Sequence, residues 1–145
     1  MSEVKSVSPE QTAELLKEGA VYVDVRTEQE YEAGHVPGSL NVPWKQLGPG
    51  GSMLQNPEFL DVMQKCFGKN EKLIMGCRSG NRSLSAGQQL VSAGYADVSN
   101  LTTGFEATRD AFGRVIPGWR HVGLPVETGK PAGQSYQDVK SRTPR

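Results

Sequence analysis

The sequence predicts an α/β fold, a central parallel sheet with helices on both faces, and three observations predict it. Short apolar runs such as "AVYVDV" and "KLIMG" are continuous rather than alternating, as strands buried on both faces are. Between them lie stretches with helical periodicity and recognisable caps. The connections are short, so strand and helix alternate along the chain in the manner of βαβ units.

Each element has its own signal. Ser8 stands before Pro9, and Gln11 completes a Ser-x-x-Gln capping box, so a helix begins there. Leu15 and Leu16 give it an apolar face, and Gly19 suits the left-handed residue that closes it. "AVYVDV" is the next strand, after which Thr27 and Glu30 repeat the capping box for a short second helix. "HVPGSLNVPW" reads as a turn feeding a short strand at 40–42, and "KQLGPGGSMLQ" as a Gly- and Pro-rich loop. Asn56-Pro57 opens a helix with Phe59, Leu60, Met63 and Phe67 at helical spacing, ended by Gly68. "KLIMG" is a strand, "RSLSAGQQLVSAG" a helix closed by Gly94, and "ADVSNL" a further strand. Apolar periodicity is lost from about Thr128. Residues 1–127 are therefore expected to form one domain and 128–145 a disordered tail.

Composition excludes several functions. A chain of 145 residues builds one hydrophobic core. Lys+Arg and Asp+Glu both number 16, so no global field argues for nucleic acid or a membrane surface as a partner. No apolar run approaches the roughly 20 residues that cross a bilayer. "MSEVKSVSPEQ" has no signal-like segment, and a cytoplasmic address is the expectation. Cys66 and Cys77 are too few for a disulfide framework, and His35 and His121 do not sit at metal-ligand spacing from them. No metal and no cofactor are expected.

Cys77 carries the chemistry. It opens the loop "CRSGNRS" between a buried strand and a helix, at the carboxyl edge where open α/β sheets bind ligands. Gly80 permits an unusual backbone angle, so the loop can curl with its amides inward. The helix beginning near Ser83 adds its positive end, and Arg78 and Arg82 add formal charge. Those features stabilise a thiolate over a thiol, whereas an inert buried cysteine avoids such surroundings. Cys66 lies within a helical pattern, where core filling is the expectation.

A thiolate in an anion cradle can attack phosphorus or sulfur. Cysteine-dependent phosphatases carry His-Cys, with five residues before the arginine. Here Gly76 precedes the cysteine, and only Arg78, Ser79, Gly80 and Asn81 separate it from Arg82. The smaller ring suits one extra sulfur atom better than a phosphate.

The motifs "YVDVRTEQEYEAGHVPGSLNVPW", "CRSGNRS", "AGYADVSNL" and "GWRHVGLPV" resemble those of a single-domain rhodanese over residues 5–127. The resemblance implies the rhodanese fold and a ping-pong sulfur transfer. Cys77 takes sulfane sulfur from thiosulfate or a persulfide donor and becomes a persulfide. It then passes that sulfur to cyanide or a thiol. The loop amides and side chains of Arg78, Ser79, Gly80, Asn81, Arg82 and Ser83 are expected to bind the donor. Rhodaneses of the mercaptopyruvate type usually lack the final arginine, so Arg82 points to thiosulfate or a persulfide.

Asp24 and Arg26 match family positions near the loop. For Arg26 two readings stand, a salt bridge at the strand end and a substrate contact. His35 is expected in a supporting hydrogen bond, since a thiolate nucleophile needs no general base. Trp44 fits either a pocket wall or the core. Thr103 replaces a glycine common in the family. A longer path to Trp119 inserts about residues 106–117, with Arg109 and Arg114, as a flap or partner surface near the cysteine. The enzyme reading has one strong competitor, a persulfide carrier delivering to a protein acceptor. A catalytically dead module would lack the cysteine, and phosphatase or arsenate reductase chemistry is the remote alternative.

Overall fold

The computed structural model describes residues 3–142. Its centre is a five-stranded sheet of β1 (Lys5–Val7), β2 (Val21–Asp24), β3 (Leu40–Asn41), β6 (Lys72–Gly76) and β7 (Asp97–Leu101). The order is β1-β7-β6-β2-β3, and every pairing is parallel. Register aligns the pleats: Tyr22 lies opposite Ile74, and Val23 opposite Met75. Alternate residues therefore feed two separate cores.

Val23, Leu73, Met75 and Val98 face one core. It is covered by α3 (Phe59–Cys66) and α4 (Asn81–Ser92), which contribute Phe59, Met63, Ala86 and Leu90. Tyr22, Ile74 and Leu101 face the other, covered by α1 (Pro9–Lys17) together with Phe105 and Trp119. The two capping boxes form as the sequence requires, Ser8 with Gln11 and Thr27 with Glu30, the latter opening α2 (Glu28–Ala33).

Three elements differ from expectation. β1 adds an edge strand whose polar residues give no apolar signal. The Gly- and Pro-rich stretch folds as a hairpin of β4 (Lys45–Leu47) and β5 (Met53–Gln55). The stretch 128–145, expected as a disordered tail, instead carries a helix, α5 (Tyr136–Lys140). Tyr136 and Val139, three residues apart, are buried against the α3 side of the sheet. Asn56 donates to the Tyr136 hydroxyl at 3.1 Å, and the Cys66 thiol donates to the Val139 carbonyl at 3.3 Å. Two apolar anchors in a polar segment are too few to show as periodicity, yet they suffice once a groove exists to receive them. Residues 143–145 lie outside the described residues.

The insert 106–117 forms a second hairpin, β8 (Ala107–Arg109) with β9 (Val115–Pro117). Among the described residues only glycines have positive φ, so Thr103 keeps ordinary backbone and is accommodated, buried, beside Gly104.

Candidate active site

β6 delivers Cys77 to the carboxyl edge of the sheet. A Cβ on Gly76 would overlap the buried Tyr22 hydroxyl, so no larger residue, a histidine included, fits ahead of the cysteine. Gly80 is the N-cap of α4 with φ of 96°, and a Cβ there would run into the Thr102 carbonyl oxygen. This left-handed turn brings the Gly80 N–H round to Cys77 Sγ at 3.1 Å.

Ser83 Oγ lies 3.3 Å from the same sulfur and 2.5 Å from Asn100 Oδ1, so its single proton goes to one of them at a time. Asn100, on β7, also donates from Nδ2 to the Gly80 carbonyl at 3.2 Å. It thus pins both the loop and the hydroxyl. The thiol is 1% exposed, and the first-turn amides of α4, which have no partner within the helix, add the positive end of its dipole. An amide, a hydroxyl and a helix N-terminus converge on one sulfur.

The arginines divide by partner. Buried Arg26 donates from Nε to Asp24 Oδ1 at 3.0 Å, from Nη2 to Asp24 Oδ2 at 2.7 Å, and to the Gly34 carbonyl at 2.6 Å. Its guanidinium also lies 4.4 Å from the centre of the Phe105 ring. Burial works against its charge, but the Asp24 carboxylate outweighs burial and leaves the pKa raised. Of the two readings, this geometry favours the salt bridge at the strand end. One face of Arg26 still lines a cleft of about 370 Å³ with Glu30, Arg78, Phe105, Glu106 and Arg120.

Arg82 makes a bidentate pair with Glu30 at 2.8 and 3.0 Å. Burial pushes the Glu30 carboxyl up, yet Arg82 and the Thr27 amide outweigh it and hold the pKa down to about 2. Arg82 therefore shares its charge. Arg78 is exposed and has no carboxylate partner among the described residues. With Ser79 and Asn81 it lines a second cleft, facing the β8–β9 hairpin.

His35 is fully buried and stacks on Tyr31 at 3.8 Å. Its Nδ1 is 2.7 Å from the Tyr31 carbonyl and its Nε2 3.0 Å from Glu127 Oε1, so both nitrogens are engaged in holding α2 to the segment at Glu127. Trp44, partly buried, packs edge-on against the core residue Phe59 at 5.1 Å. Among the described residues, no group of three or more His, Cys, Asp or Glu side chains is placed to hold a metal ion.

Sequence reasoning missed Asn100 and the second role of Glu30. Asn100 did leave a signal, a polar residue next to the apolar Leu101 in the strand "DVSNL", and a buried polar group must find partners. The Glu30–Arg82 pair spans 52 residues and left none beyond the capping box.

A parallel sheet that delivers a cysteine into donors at a helix N-terminus defines a class, α/β proteins built around a thiol cradled by hydrogen-bond donors. Within that class the chain belongs to the rhodanese-like domain family, whose model matches residues 8–111. It is similar to thiosulfate sulfurtransferase 16, chloroplastic, of Arabidopsis thaliana, 37% identical over 122 residues, covering 84% of this chain and 92% of that protein. It is also similar to the thiosulfate sulfurtransferase GlpE of Pseudomonas syringae, 34% identical over 112 residues, covering 77% and 93%. The crystal structure of Rv0390 from M. tuberculosis superposes with a TM-score of 0.72 at 33% identity, covering 88% of this chain and all of that one. Family membership and these relatives support sulfurtransferase activity in general.

Proposed function

We propose that the protein moves sulfane sulfur from thiosulfate or a persulfide donor to a thiophilic acceptor, cyanide or a thiol, through a Cys77 persulfide. The observation that carries this reading is the cradle at Cys77 Sγ, with the Gly80 amide at 3.1 Å and the Ser83 hydroxyl at 3.3 Å. Donors aimed at a sulfur favour a nucleophile that reacts as an anion.

The thiolate attacks the outer sulfur of thiosulfate. A bond forms between Sγ and that sulfur, the donor's S–S bond breaks, and its electron pair leaves with sulfite. Cyanide then attacks the outer sulfur of the persulfide, the new S–S bond breaks, and thiocyanate departs as Cys77 regains its electron pair. Amides of the Arg78–Ser83 loop hold the transferred sulfur. Arg78 supplies the uncompensated charge that attracts a dianion, and Arg82 a smaller share because of Glu30.

Intact-mass spectrometry tests this. Thiosulfate is expected to add one sulfur atom to Cys77, and cyanide to remove it with thiocyanate appearing. Loading only from a persulfide donor would shift the reading to a sulfur carrier. Loading from neither would remove it.

A further inference from the structure

We propose that the cleft between the Cys77 loop and the β8–β9 hairpin docks an acidic polypeptide, whose cysteine takes the sulfur. This rests on the Cys77 persulfide reading above and names the acceptor class.

The hairpin is attached to the catalytic loop by main-chain bonds. The N–H of Phe105 donates to the Cys77 carbonyl at 2.8 Å, and the N–H of Glu106 to the Arg78 carbonyl at 3.0 Å. On the returning side, Gly118 donates to the Glu106 carbonyl at 2.9 Å and Arg120 to the Phe105 carbonyl at 3.1 Å. Its position relative to the nucleophile is thereby fixed.

Between loop and hairpin lies a cleft of about 580 Å³, lined by Arg78, Ser79 and Asn81 on one side and Thr108, Arg109 and Val115 on the other. Thiosulfate, with five heavy atoms, is far too small to fill a space of the size that holds whole ligands. No carboxylate lines it. Other arginines of this region carry acidic partners: Arg26 has Asp24, Arg82 has Glu30, Arg114 has Asp110 and Arg120 has Glu106. Arg78 and Arg109 have none among the described residues, and Arg109 donates only to the Gly113 carbonyl at 2.7 Å. Two uncompensated cations in one cleft call for an anionic occupant.

That occupant is a polypeptide because of what surrounds the cleft. Phe112 at the hairpin tip is 83% exposed, and on β9 Val115 is 56% and Ile116 38% exposed. A small thiol cannot cover exposed apolar side chains at both the cleft wall (Val115) and the hairpin tip (Phe112), whereas a protein surface can. Transfer needs no oxidant. The acceptor cysteine's thiolate attacks the outer sulfur of the Cys77 persulfide, that S–S bond breaks with its electron pair returning to Sγ, and the acceptor leaves as the persulfide.

The test uses the full chain, loaded with sulfur and freed of excess donor. Two ten-residue peptides, each with one cysteine and two leucines, carry either glutamates or lysines elsewhere. The acidic peptide is expected to take sulfur at least about tenfold faster at low salt, an advantage that shrinks toward 1 M salt. Arg109→Glu is expected to abolish the preference and Phe112→Ser to slow the acidic peptide several-fold. Phe112→Ser should keep thiosulfate:cyanide turnover unchanged, and Arg109→Glu should keep turnover at saturating thiosulfate unchanged, since neither residue touches the cradle. Equal rates for the two peptides, or a preference that survives Arg109→Glu, would overturn the proposal. So would mercaptosuccinate, a small acidic thiol, matching the acidic peptide with no sensitivity to Phe112. Failure to load Cys77 at all would instead remove the sulfurtransferase reading, and the docking with it.

Discussion

Cys77 and Cys66 are both buried, at 1% and 3% exposure, and both pack in the same hydrophobic core. What separates them is the direction of their hydrogen bonds. Cys77 sits where a strand hands over to a helix, and its sulfur receives the Gly80 N–H. Cys66 ends α3, and its thiol gives a hydrogen bond to the Val139 carbonyl. A sulfur that receives donors has its developing negative charge stabilised when it attacks, whereas one that donates to a carbonyl has no such help from that bond. Burial alone is no guide to which cysteine reacts.

Three substitutions test this contrast. If Cys77 carries the sulfur as proposed, Cys77→Ser is expected to cut thiosulfate:cyanide turnover by about a thousandfold or more, while the melting temperature barely moves. Gly80→Ala attacks the cradle instead of the nucleophile. It adds a Cβ to a residue with φ of 96° and drives it into the Thr102 carbonyl, so a loss of about 2–4 kcal/mol in urea unfolding is expected, together with sulfur loading. Cys66→Ala removes the thiol donor from the Val139 carbonyl, which keeps the Arg142 N–H at 3.1 Å, and is expected to cost about 0.5–1.5 kcal/mol, with turnover per folded molecule unchanged. A Cys66→Ala protein that folds well but no longer loads sulfur would break the contrast.

The same two regions show why parts of the molecule were legible in sequence and others were not. The Cys77 loop is local: strand, cysteine, glycine and helix start are contiguous, so the chemistry of seven residues declares itself. Both capping boxes are local for the same reason, each closing over three residues. The surroundings of Cys66 are not local, since its partner lies 73 residues away on α5. That helix has only two buried apolar anchors, Tyr136 and Val139, too few to read as periodicity. β1, three residues long with Lys5 and Ser6 exposed, exists because β7 offers it an edge, and nothing in "KSV" announces it. The β4–β5 hairpin is equally dependent on pairing. Asn100 could be noticed as a polar residue in a strand, but only the fold shows that it is buried and holds both Gly80 and Ser83.

The smallest effect concerns the ion pair at the outer edge of the cradle. Glu30 accepts from Arg82 and from the Thr27 amide, which together overcome burial and hold its carboxyl at about 2. An unfolded glutamate titrates near 4.3. Because the folded value is the lower one, the pair's contribution is fully present above about pH 4.3. It is lost as the pH falls through that value toward 2. The pair is partly exposed to solvent, so the contribution is about 1 kcal/mol or less. Glu30→Gln keeps the side-chain shape and removes the charge. The melting temperature of the variant should sit a few degrees below the parent from pH 7 to about 5, and the two curves should converge as acid is added. A constant gap down to pH 2 would mean that shape, not charge, is what Glu30 contributes. No gap at neutral pH would show that Arg82 is held by the helix alone.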